Sequence, residues 1–92
     1  MDLRAEDVRA RRFTVTRWHR GYDVAEVDVL LERAASALEQ LAAGGPAVLT
    51  GEDVRSSTFG TTLRRTGYDE AEVDEFLDAL AEALDAASVS PR

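Results

Sequence analysis

The sequence predicts an all-α fold: tandem short helix–loop–long helix repeats forming a pseudo-twofold helical bundle with short coiled-coil-like pairing. Three observations carry that prediction. Shifting the chain by 46 positions lays residues 3–38 over 49–84 without a gap, and half of the 36 aligned pairs are identical. Fifteen of the 92 residues are Ala, and Ala, Arg, Leu and Glu are good helix formers. Apolar residues recur every three or four positions in the second part of each copy, while alternating β-branched runs are scarce. The repeat divides the chain into copy one at 1–42, a Gly/Pro hinge at 43–48, copy two at 49–88 and a tail at 89–92.

The short helix of copy two opens on Thr50 as N-cap with Asp53 three residues on, a capping-box spacing, and Leu49 and Val54 take the hydrophobic-staple positions. Copy one keeps the staple pair Leu3 and Val8 but has Arg4 at the cap, so its short helix is expected to fray more. The two helices are expected to end near Arg12 and Thr58, each followed by a loop, Phe13–Tyr22 and Phe59–Tyr68. Gly21 and Gly67 stand just before the next helix, where a positive φ is expected. Asp23 and Asp69 are then N-caps, with Glu26 and Glu72 completing the boxes. In the long helices Val27, Leu31, Ala34, Leu38 and Leu41 are spaced 4, 3, 4, 3, and Val73, Leu77, Leu80, Leu84 and Ala87 repeat the pattern. The core of the helix pairing is Val27, Leu31, Leu38, Val73, Leu77, Leu80 and Leu84. Leu30, Ala37, Phe76 and Ala83 widen the stripe, so each helix can bury against two neighbours. The 28 residues from 42 to 69 suffice to return the chain along a helix of about 27 Å, so parallel pairing, antiparallel pairing and exchange between two chains all satisfy the connectivity.

Composition excludes several functions. There is no Cys, hence no disulfide framework or thiolate metal site, and the single His makes a histidine-based triad a poor prospect. No run approaches the roughly 20 apolar residues of a membrane span, and the start MDLRAEDVRARR has no apolar signal core. A cytoplasmic, non-enzymatic protein without cofactor or metal is expected. The absence of Lys, Ile and Asn points to a GC-rich genome, as in actinobacteria.

The pattern Leu-Thr-x-x-Asp-Val, then Phe, then Gly-Tyr-Asp-x-x-Glu-Val-Asp-x-Phe-Leu at 49–77, with its copy at 3–31, resembles the N-terminal domain of DivIVA-type bacterial proteins. Two copies in tandem are similar to the DivIVA-domain repeat proteins of actinobacteria, over residues 3–41 and 49–87. That resemblance implies a non-catalytic scaffold of cell division and polar growth, with parallel coiled-coil pairing. It further implies a loop that touches the inner face of the cell membrane through an aromatic residue followed by Arg, and a cell-division or cell-wall protein as partner. By position the aromatic–Arg pair falls on His19-Arg20 and Arg65-Thr66; neither copy keeps the aromatic, and Trp18 lies one position earlier.

Charge separates the copies. Residues 1–41 carry seven Arg against eight acids, and residues 49–92 four Arg against ten. Five of those arginines (Arg9, Arg11, Arg12, Arg17, Arg20) lie between Asp7 and Asp23 without an acid among them. Arg17, Trp18, His19 and Arg20 are therefore the expected contact with an anionic membrane or a partner, since each cation near such a surface contributes about 1 kcal/mol. The alternatives are a solvated arginine loop and, disfavoured by the net charge of −7, nucleic acid. A second functional reading is a soluble adaptor in which the acidic face of copy two (Glu70, Glu75, Asp78, Glu82, Asp85) takes a basic peptide. Self-association, or pairing of the two copies within one chain, is expected in either case.

Overall fold

The computed structural model describes residues 3–88; the tail at 89–92 lies outside them. Helix α1 spans Ala5–Ala10, strands β1 and β2 are Val15–Thr16 and Gly21–Tyr22, and helix α2 is Val24–Ala42. Copy two repeats the order with α3 at Gly51–Arg55, β3 at Thr61–Thr62, β4 at Gly67–Asp69 and α4 at Glu70–Ser88.

The strands overturn the all-α, coiled-coil bundle that the repeats suggest. The fold is mixed, with four helices and one four-stranded antiparallel sheet in the order β1-β4-β2-β3. What reads as two loops is the sheet, made of pieces of two or three residues. Its pairing exchanges strands between the copies. β1 of copy one pairs with β4 of copy two, Val15 opposite Tyr68 and Thr16 opposite Gly67. β3 of copy two pairs with β2 of copy one, Thr61 opposite Tyr22 and Thr62 opposite Gly21. The central strands β2 and β4 meet at Tyr22 and Tyr68, equivalent residues of the repeat, so the pseudo-twofold axis passes between them.

Close approach explains the repeated glycines. Neither Gly21 nor Gly67 has the expected positive φ, which among the described residues belongs to Gly44 and Arg64. Instead, a Cβ on Gly21 would lie 2.8 Å from the Tyr68 carbonyl oxygen, and one on Gly67 would overlap the Thr62 hydroxyl. Gly44, at φ +85°, ends α2: Gly45 N donates to the Gln40 carbonyl at 2.7 Å and Gly44 N to that of Leu41 at 3.0 Å.

Both long helices start at the sheet. Leu38, near the end of α2, shares a groove with Ala83, Ala86 and Ala87 near the end of α4. The helices therefore run side by side in the same direction, parallel rather than antiparallel within the chain. Each short helix lies against the long helix of its own copy. α3 begins with both capping bonds in place, Asp53 N to Thr50 Oγ1 at 3.1 Å and Thr50 N to Asp53 Oδ2 at 2.9 Å. α1 has only the bond from Arg4 N to Asp7, because Arg4 offers no acceptor. Both short helices stop earlier than expected, at Ala10 and Arg55. Val27, Leu31, Leu38, Val73, Leu77, Leu80 and Leu84 are all buried, together with Val8, Val54 and Phe13. The wider flank is unequal, since Leu30 and Ala37 are buried but their equivalents Phe76 and Ala83 only partly so.

Candidate functional site

The residues shared by the two copies turn out to tie the copies together. Asp23 caps α2 by accepting from Glu26 N at 3.0 Å, but Glu26 does not close a box on Asp23. It accepts from Gly60 N of the other copy at 2.8 Å, while Asp23 N donates to the Gly60 carbonyl at 2.8 Å. Copy two mirrors this: Glu72 accepts from Thr14 N at 2.9 Å and Asp69 N donates to the Thr14 carbonyl at 2.9 Å. The Thr14 contact holds the Glu72 carboxyl below its ordinary pKa. The remaining acids take the tyrosines, Tyr22 Oη donating to Asp74 at 2.7 Å and Tyr68 Oη to Asp28 at 2.8 Å. Phe13 against Tyr68 and Phe59 against Tyr22 complete the set, each with ring centroids 5.2 Å apart. Asp23, Glu26, Asp28 and their equivalents thus spend their oxygens on backbone and tyrosine groups. Apart from the caps Asp23 and Asp69 make within their own copies, Gly-Tyr-Asp-x-x-Glu-Val-Asp is a pairing motif, each copy supplying one side of the contacts that join the two.

The bond to Asp74, reinforced by burial, raises the Tyr22 pKa from 10.0 to about 12. Burial first, and then Asp28, raises that of Tyr68. A raised phenol pKa stabilises the fold fully below the unfolded-state value and loses that contribution as pH climbs through the folded one. Denaturant titrations should therefore show stability declining from about pH 10 towards 12, and Tyr22→Phe should flatten the decline. An unchanged slope in Tyr22→Phe would show that the hydrogen bond to Asp74 does not couple to folding.

The sheet also presents two loop tips, 17–20 between β1 and β2 and 63–66 between β3 and β4. Because β2 and β4 are antiparallel and each tip precedes one of them, the tips stand on either side of the pseudo-twofold axis at the sheet end of the molecule. Arg17, Trp18, His19 and Arg20 occupy the first tip and are all exposed; Trp18 is 82% exposed. His19 N donates to Thr16 Oγ1 at 3.3 Å and closes the bend. Arg20 lies 3.7 Å from Glu70 on the first turn of α4, which draws that cation towards the body, whereas Arg17 has no ion-pair partner among the described residues.

Sequence reasoning missed the second tip. Leu63, at the position of Arg17, is 60% exposed and is followed by Arg64 and Arg65. Arg64 holds φ +65°, a left-handed conformation uncommon outside glycine, in the turn that carries these side chains. The available signal was an apolar residue next to two arginines inside a loop.

The acidic face of copy two separates into two sets. Asp85 accepts from Gly51 N at 3.2 Å and pairs with Arg55 at 3.0 Å, and Glu70 faces Arg20. Glu75, Asp78 and Glu82 have no cation within ion-pair distance among the described residues and border a groove with Leu3 and Ala79. Among the described residues, no helix is long and apolar enough to cross a membrane. Comparison of the chain with protein-family models, with curated proteins and with solved structures found no match.

Proposed function

We propose that this chain is a non-catalytic interaction module of the DivIVA type whose sheet end rests on an anionic membrane surface. The observation that supports this most is the exposed Trp18 beside Arg17, joined across the pseudo-twofold axis by exposed Leu63 with Arg64 and Arg65. An indole suits the headgroup boundary, with an apolar body and one polar N–H. Cations near an anionic surface add about 1 kcal/mol each and lose it with salt. Two tips straddling an axis give two points of attachment, so the protein stands on the surface with its long helices pointing away. The resemblance in Gly-Tyr-Asp-x-x-Glu-Val-Asp supplies the rest of the reading: peripheral attachment at the inner face of the cell membrane, and a part in organising division or polar growth.

Trp18 is the only tryptophan and reports its own environment. Its emission should shift to the blue on titration with phosphatidylglycerol vesicles, return on addition of salt, and stay put with phosphatidylcholine. In sedimentation, Leu63→Ala and Arg17→Ala/Trp18→Ala should each weaken vesicle binding about tenfold or more. Exposed-indole emission unmoved by anionic vesicles would sink the membrane reading. It would favour the adaptor reading, for which Glu75, Asp78 and Glu82 remain the support.

A further inference from the structure

Two grooves related by the repeat have opposite character. One runs beside α2, where Val29 (61% exposed), Arg33 and Ser36 face Val48 (54% exposed) and Leu49. The other runs beside α4, where Glu75, Ala79 and Glu82 face Leu3. The 46-residue shift carries Val29 onto Glu75, Arg33 onto Ala79, Ser36 onto Glu82 and Leu49 onto Leu3. In a symmetric pair these faces would be identical. Here one has become apolar with a cation, and the other small and acidic.

Arg33 makes no ion pair among the described residues, and neither do Glu75, Asp78 and Glu82, while the neighbouring Glu32 is already held by Arg9. The unpaired charges of the two faces are thus opposite. Val29 and Val48 are two of the large apolar side chains the chain leaves in water. Exposed Ala79 and Ala86 leave the opposing floor low enough for an incoming helix to come close. We infer that the α2 face of one molecule docks on the α4 face of another, with Val29 over the alanine floor and Arg33 between Asp78 and Glu82. A contact between two different faces is head-to-tail: it leaves one face free at each end and adds molecules in a row. The patch is small, so the association is weak, on the order of 10⁻⁴ M, and sensitive to salt. This inference does not depend on membrane binding, because neither face includes the tips.

The test is sedimentation equilibrium of the whole chain between about 10 µM and about 1 mM at low and moderate salt. The average mass should rise with concentration beyond two chains and fall back with salt. Val29→Glu/Arg33→Glu spoils the α2 face and Ala79→Gln/Ala86→Gln fills the α4 floor. All four positions are exposed, so circular dichroism should match the wild type. Each double variant alone should remain monomeric, while an equimolar mixture should form a species of two chains and nothing larger, because it retains one intact face of each kind. A wild-type mass that stays monomeric at about 1 mM overturns the proposal, as does association that survives in either variant or fails in the mixture. Uptake of an oligoarginine peptide without self-association would assign the acidic groove to a basic peptide and overturn it too.

Discussion

Gly67→Ala should lose about 3 kcal/mol of stability, a large part of what a domain of this size has. The added Cβ would overlap the Thr62 hydroxyl and lie 3.1 Å from the Tyr22 carbonyl oxygen, in the middle of the sheet. Thr62 is buried and its hydroxyl has no hydrogen-bond partner among the described residues. Removing it therefore costs little in polar contacts, and Thr62→Ala/Gly67→Ala should recover about half of the loss. Gly21→Ala should be as damaging but beyond such rescue, since the obstruction at 2.8 Å is the Tyr68 backbone. Urea unfolding of the three variants beside the wild type checks this. If Gly21→Ala is as stable as the wild type, the two central strands do not lie as close as described.

The second large effect is an inequality between equivalent residues. Phe13→Ala should cost about 3–4 kcal/mol and Phe59→Ala about half as much or less. Phe13 is buried, packs on Tyr68 at 5.2 Å and meets Phe76 edge-on at 5.7 Å, with the Arg11 guanidinium 5.0 Å above its ring. Phe59 is only partly buried and has Tyr22 as its one aromatic neighbour. The difference arises from position 76, Phe in copy two where copy one has Leu30, so that only one of the two pockets gains a third ring. Thermal or urea unfolding of the two variants side by side measures it. Equal losses would mean that Phe76 adds nothing to the packing of Phe13.

Much of this molecule is legible in its sequence because the informative signals are local. The heptad spacing of Val27, Leu31 and Leu38 and the Thr50–Asp53 cap involve residues within about three turns of each other, and they mark the helices well. The sheet is hidden for the converse reason. Val15-Thr16 and Thr61-Thr62 are too short to show alternation, and their partners lie in the other copy. A β-branched pair five residues before each Gly-Tyr was the only trace. Asp23 and Glu26 show how a local rule is overridden: their spacing is that of a capping box, yet Glu26 and the Asp23 N–H both bond to Gly60. At the site, Trp18 stands out by its type, whereas Leu63 is informative only once the second tip is placed beside the first.

The exchange of strands also sets the order of events on the ribosome. Copy one is complete in sequence long before it has anything to pair with, because Val15 waits for Tyr68 and Gly21 for Thr62. During that interval the nascent chain shows open strand edges and an uncovered Phe13, and the first copy of a neighbouring nascent chain on the same message carries the same pairing motif. The short link at 43–48 limits this hazard. It delivers the second copy at a high effective concentration as soon as it emerges, so the tethered partner outcompetes the stranger.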